Sequence, residues 1–193
     1  MRSDTTDQSV DRPTRQVELT VNGERVAAEV EPRLKLSDFL REEAGLRGVR
    51  VGCEHGVCGA CTVSYDGDLA KSCLLYAVQV DGSEIVTVEG LDEDGELDPV
   101  QRAFHEEHAL QCGFCTSGFV LAARDLLAEN PEPTREKIKG ALADNICRCT
   151  GYQHIYAAVE AAAEEIDGPV TLPEAPEGTG VGDRSASPFG GED

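Results

Sequence analysis

Tryptophan is absent from this 193-residue chain, and aromatics as a whole make up only 5% of it. A core is still possible with 40% hydrophobic residues, but it must be aliphatic and alanine-rich. No apolar run approaches the roughly 18 residues that a membrane helix needs, so no membrane span is expected. The opening stretch, MRSDTTDQSVDRPTRQ, has neither an apolar segment nor a twin-arginine pair, which gives no export signal. The expected location is cytoplasmic, where reducing conditions argue against disulfides. Basic residues are also scarce: 17 Lys and Arg stand against 37 Asp and Glu, a net charge of −20. This excludes a nucleic-acid partner, which would require Lys and Arg in excess. The acids are spread along the chain, so they read as a halophilic surface whose self-repulsion salt screens; stability should then rise with salt. An acidic docking face for a basic redox partner is the other reading.

Recognisable catalytic patterns are missing too. His55, His105, His108 and His154 sit in no nucleophile or metal pattern, and the acids Glu106 and Glu107 make the His105/His108 face a solvated one. The run from Gly178 to Gly182 lacks the strand and helix that a nucleotide-binding turn needs. No substrate-transforming site is expected in this chain.

What is present is cysteine. Eight fall into two sets of four with none left over: Cys53, Cys58, Cys61 and Cys73, then Cys112, Cys115, Cys147 and Cys149. Two complete ligand sets for two inorganic centres are the economical reading. In the first, Cys53-x4-Cys58-x2-Cys61 with a later fourth cysteine is the plant-type ferredoxin spacing for a [2Fe–2S] cluster. Gly52, Gly56 and Gly59 relieve the tight turn that brings three thiolates together from one loop. Cys73 completes the set because the strand pair T62–Y65 and L69–S72 would return it to that loop. Zinc would usually show two Cys-x2-Cys knuckles, and a Rieske centre would need two histidines; His55 supplies neither pattern and reads as an exposed loop residue. The second set, Cys112-x2-Cys115 and Cys147-x-Cys149, places each pair at a helix start, where free N–H groups favour thiolates. Spacing alone leaves a four-cysteine zinc site open here.

Along the chain, residues 1–14 read as a flexible tail. Segments from Gln16 and Arg25 flank Asn22-Gly23, a hairpin signal. Ser37 is placed to cap a helix that runs to Gly45, and short strands follow over T62–Y65, after an Asp66-Gly67 turn up to Cys73, and over 84–90. Residues 15–90 therefore make a small mixed sheet on one helix. Residues 91–98 are an acidic, solvated linker. Residues 99–167 carry four helical patterns, beginning at Pro99, Ser117, Thr134 and Tyr152, and form a small bundle. Residues 168–193 are rich in Pro, Gly and acid and are expected to be disordered. The class is α+β.

The motifs G52-CEHGVCGACTV, S72-CL, T87-VEGL, Q111-CGFCTSG and N145-ICRCTGY resemble the small iron–sulfur subunit of the molybdenum hydroxylases, the family of xanthine dehydrogenase, aldehyde oxidoreductase and carbon monoxide dehydrogenase. The resemblance runs from about Val17 to Val159 in order. Ser117 stands where that family usually has proline, and Ala143-Asp144 where Ser-Gly is common; neither is a cysteine. The resemblance implies an N-terminal ferredoxin-like β-grasp domain followed by a C-terminal four-helix bundle, each holding one [2Fe–2S] cluster. It implies electron transfer from a molybdenum-pterin cofactor, through the helical-domain cluster and then the ferredoxin-like one, to FAD. A large molybdenum-binding catalytic subunit and a FAD-binding medium subunit would be the partners, in a heterotrimer or its dimer. Gln111 and Cys149 match positions that approach the molybdopterin. A stand-alone two-cluster ferredoxin is the alternative. The substrate is not legible in this chain; a separate small subunit leans weakly toward carbon monoxide or an aldehyde.

Overall fold

The structure, a computed structural model, describes residues 12–92 and 95–166; of the tails expected at 1–14 and 168–193, residues 1–11 and all of 168–193 lie outside the described residues. Within them the chain makes five strands, β1 (Arg15–Val21), β2 (Glu24–Val30), β3 (Thr62–Tyr65), β4 (Asp68–Lys71) and β5 (Glu84–Val86), and five helices. Helix α1 spans Leu36–Glu42, α2 Pro99–Glu106, α3 Thr116–Glu129, α4 Arg135–Ala141 and α5 Gln153–Glu165. This is an α+β protein.

Two hairpins organise the sheet. Asn22 (φ 51°) and Gly23 (φ 79°) both take the left-handed conformation, as do Asp66 (φ 50°) and Gly67 (φ 94°). Two consecutive positive φ angles define the type I′ turn, whose twist matches that of the strands it joins. Val21 therefore pairs with Glu24, and Tyr65 with Asp68. The sheet order is β2-β1-β5-β3-β4, with β1 and β5 parallel and the other pairs antiparallel. Alternation along β1 buries Val17, Leu19 and Val21, which pack with Leu36, Phe39 and Leu40 of α1.

A second apolar cluster joins α2 to α5 through Phe104, Phe119, Leu121, Leu127, Ile138, Leu142, Ile155 and Val159. It also takes in Val86 of β5 and Leu91, so the two cores abut.

Four expectations need correction. Helix α1 starts at Leu36, not after a Ser37 cap; Lys35 is the flanking residue and Ser37 is fully buried. The cause is tertiary: Leu36 N–H donates to Leu75 O at 2.8 Å, and Lys35 bridges Tyr76. The strand from Glu84 ends at Val86, because the Asn22 side chain accepts the Thr87 N–H at 2.8 Å and a 3-10 turn follows over Val88–Leu91. The segment 91–98 is not simply solvated: Leu91 is buried, and Asp98 is buried as the cap of α2. Residues 12–14 are held at the end of β2, where Thr14 donates to Glu29 and Arg12 pairs with Glu31, just past the strand, at 3.0 Å.

Candidate metal centres

The first cysteine set lies where the loop 51–61 folds over the β3–β4 hairpin. Pairing of Thr62 with Lys71 returns Cys73 beside Cys61, and Ser72 fixes the return by donating its N–H (3.2 Å) and hydroxyl (2.7 Å) to Cys61 O. Cys61 and Cys73 are buried, Cys53 and Cys58 half-buried. The loop supplies N–H donors to sulfur: His55 and Cys58 N–H groups approach Cys53 Sγ at 3.3 and 3.4 Å. These donors, His55 first, bring the Cys53 thiol down to about 6, because they stabilise the thiolate. Burial pushes Cys73 up to about 11, reinforced by the Cys61 thiol and opposed by the Gly56 N–H. The His55 side chain is exposed and its ring contacts the Cys53 carbonyl.

The second set joins two segments. Cys115 is the residue flanking the start of α3, as expected. The pair Cys147/Cys149 does not sit at a helix start: α5 begins only at Gln153, after a turn in which Tyr152 takes φ 69°. Tyr152 accounts for this geometry, since its hydroxyl accepts the Cys147 N–H at 3.0 Å while its ring packs edge-on against Phe119. Cys112 and Cys149 are exposed with sulfurs 3.6 Å apart. Burial, then the Cys147 thiol, pushes Cys115 up to about 12. Burial also raises Cys147, but the Thr150 hydroxyl (3.1 Å) and N–H (3.4 Å) bring it net down. The Phe114 N–H, followed by the Cys149 side chain, lowers Cys112, and contact with the Cys112 thiol raises Cys149.

In each set the thiols interact most strongly in pairs, Cys53 with Cys58 and Cys61 with Cys73, then Cys112 with Cys149 at 3.6 Å and Cys115 with Cys147, with weaker charge interaction across the pairs. Among the described residues, no three His, Cys, Asp or Glu side chains converge on a point where a single metal ion could sit. Two pairs of thiols in each set match the two thiolates per metal that a binuclear group needs. The hydroxyls of Thr116 and Ser117, buried beside Cys115 without a partner, add donors of the kind that sulfur-rich groups accept.

The sets meet at a tight junction. Ile146 N–H donates to Cys58 O at 3.0 Å. A Cβ on Gly59 would stand 2.0 Å from Asn145 Oδ1, and one on Gly118 would stand 2.0 Å from Gly59 O. Arg50, Asn145, Thr150 and Tyr152 are the residues that sequence reasoning missed; N145-ICRCTGY contained three of them, but nothing in its spacing marked their contacts. Gln111 is exposed beside Cys112, on the same edge as Cys149.

This fold with two paired thiol sets defines a carrier of two sulfur-ligated redox centres. Comparison bears this out: residues 19–95 match the 2Fe-2S iron-sulfur cluster binding domain, and residues 87–160 match the [2Fe-2S] binding domain. The nicotine 6-hydroxylase small subunit of Paenarthrobacter nicotinovorans is 52% identical over 151 residues, covering 78% of this chain and 91% of that one. Caffeine dehydrogenase subunit gamma of Pseudomonas sp. (strain CBB1) is 47% identical over 150 residues, 76% of this chain and 90% of that one. Among solved structures, quinoline 2-oxidoreductase from Pseudomonas putida 86 superposes with a TM-score of 0.76 at 48% identity, covering 78% of this chain and 94% of the matched chain. The chain belongs to the family of small iron–sulfur subunits of the molybdenum hydroxylases, and electron transfer within a heteromeric complex is the function of that family.

Proposed function

We propose that this chain relays electrons from a molybdenum-bearing catalytic subunit to a FAD-bearing one. Its cysteines hold two [2Fe–2S] groups, Cys53, Cys58, Cys61 and Cys73 the first, Cys112, Cys115, Cys147 and Cys149 the second. The observation that carries this reading is the pairing of the thiols in both sets. When bound, such groups take up and release one electron at a time. The protein's own part is to hold the thiolates, to supply N–H donors to their sulfurs, and to keep the two sets close. We read the N-terminal unit as a ferredoxin-like β-grasp and α2–α5 as a four-helix bundle, in a cytoplasmic complex from a salt-adapted organism.

The exposed edge of Gln111, Cys112 and Cys149 is the face we assign to the molybdopterin of the catalytic partner. Exposed apolar side chains lie within a few residues of the cysteines of both sets, Val57, Leu74 and Tyr76 at the first, Leu110, Phe114 and Ile146 at the second. Apolar side chains left uncovered beside redox centres suit subunit contacts better than a freely diffusing ferredoxin. The relatives above are named for nicotine, caffeine and quinoline, all nitrogen heteroaromatics. We therefore assign the complex to that substrate class, in place of the weak lean toward carbon monoxide or an aldehyde.

Native co-purification in high salt tests the reading. Four irons per chain with molybdenum and flavin are expected; four irons alone would favour a free two-cluster ferredoxin, and zinc in place of two irons would refute the second centre. Cys149→Ser should remove the second iron–sulfur signal and turnover together while the first signal remains. Cys73→Ser should do the reverse, and survival of the first signal there would strike Cys73 from the ligands.

A further inference from the structure

Arg50 belongs to neither thiol set, yet it touches the loops of both. Its backbone N–H donates to Ala60 O at 3.2 Å, next to Cys61, and the chain runs from it through Val51 and Gly52 into Cys53. Its guanidinium donates to the carbonyl of Gly113, between Cys112 and Cys115, and lies 5.9 Å from the centre of the Phe114 ring. That ring rests against the first loop: a Cβ on Gly52 would stand 3.2 Å from both Phe114 and Cys58 Sγ. One fixed cation is therefore clamped, by a hydrogen bond and a ring face, where the two cysteine loops meet.

Its surroundings reinforce the charge. Arg41 and Arg47 complete a pocket of about 340 Å³ with Arg50, Val51 and Phe114, and no carboxylate lines it. Arg41 donates to Val49 O at 2.7 Å, and among the described residues none of the three arginines forms an ion pair. In a chain of net charge −20, three guanidiniums lining one pocket make a local concentration of positive charge. Each one-electron reduction adds a negative charge to a thiolate-held group. A nearby cation stabilises the reduced form and raises the potential, more strongly where water is partly excluded.

We propose that Arg50 is a shared tuning residue, holding the reduction potentials of both iron–sulfur centres above the values they would take without its charge. The inference rests on the two-cluster reading and adds to it a role outside the ligands. Redox titration of the native complex, followed by the electron paramagnetic resonance of each centre, tests it. In Arg50→Gln both midpoints should fall together. At an effective dielectric near 20 and a separation on the order of 10 Å, the reduced-to-oxidised ratio at fixed potential should drop roughly tenfold, which is about 59 mV for a one-electron couple. Arg50→Lys keeps the charge and should recover most of the shift; Arg47→Gln, which makes no bond to Gly113, should move the midpoints less. Unchanged midpoints in Arg50→Gln, with wild-type iron content, overturn the proposal. An equal shift in Arg50→Lys overturns it too, because geometry and not charge would then be responsible. A wild-type protein lacking two iron–sulfur signals would bring down the underlying reading along with it.

Discussion

Alanine at Gly118 and at Gly140 should move stability in opposite directions, although both glycines lie in helices. Gly140 sits in α4 with nothing within 4 Å of the position a Cβ would take. The substitution there removes backbone freedom from the unfolded chain and costs nothing in the folded one, a gain of about 1 kcal/mol. Gly118 in α3 collects the same helix benefit but meets Gly59 O at 2.0 Å and Asn145 Oδ1 at 2.9 Å. Gly59 O is backbone and cannot rotate away, so the first cysteine loop must lift off α3. Overpacking of this kind costs about 3 kcal/mol or more, which leaves Gly118→Ala about 2 kcal/mol less stable than wild type after the helix gain. Denaturant unfolding of the two variants at one salt concentration measures both signs. The lifted loop should also weaken the magnetic interaction between the two centres, which Gly140→Ala should leave intact. If Gly118→Ala unfolds with or after Gly140→Ala, the junction is not close-packed and the reasoning fails.

Two further outcomes follow from charge. Asp98 and Arg124 form an ion pair with side chains only 4% and 10% exposed, and Asp98 also accepts the Val100 N–H at 2.9 Å as the cap of α2. Asp98→Ala should cost about 3–5 kcal/mol by leaving Arg124 without its carboxylate in a buried place; Asp98→Asn keeps the cap and should lose about 1 kcal/mol less. Equal losses in the chemical denaturation of the two variants would mean the cap contributes nothing. Burial, then Glu129 and Asp68, raise the Asp125 carboxyl above its ordinary value. A raised folded value means the folded chain holds its proton longer. The associated stability is thus present below the ordinary carboxylate range near 3.9 and is lost as pH rises through the raised value. Asp125→Asn should therefore stabilise at pH 7 by about 0.5 kcal/mol, gain nothing at pH near 4, and gain less in molar salt; a pH-independent effect in thermal melts would refute this account.

Much of the fold was legible because it depends on short-range chemistry. Asn22-Gly23 and Asp66-Gly67 name their turns, and the turns set the strand registers. The apolar periodicity of α3 and α5 declares their buried faces, and Thr134 caps α4 by accepting the Lys137 N–H at 3.4 Å. Cys73 was identifiable because a hairpin register delivers it. What was not legible acts across long separations. Leu36 enters α1 early because Leu75 accepts its N–H. The link from Arg50 to Gly113 spans 63 positions, and no local pattern encodes it. Asp98 is an instructive miss, for Asp98-Pro99-Val100-Gln101 carries a capping-box signature with proline at the first helical position. Its acidity within an acidic stretch disguised it as linker.

The junction also limits how separately the two halves can behave. Val86 and Leu91 are buried in the helical cluster, and the Cys58 carbonyl is bonded to the residue preceding Cys147. A backbone bond of that kind ties the position of one thiol set to that of the other, so a disturbance at Cys58 or Cys147 has a direct route across. Cys149 and Cys73 lie off that route. Cys149 is on the exposed outer edge with Cys112, and Cys73 is anchored from the sheet side by the β3–β4 hairpin. Loss of either thiol should therefore stay within its own set. The same contacts that restrict independent folding bring the two centres close without a shared ligand, and closeness with separate ligands is what stepwise one-electron transfer between two groups requires of the protein.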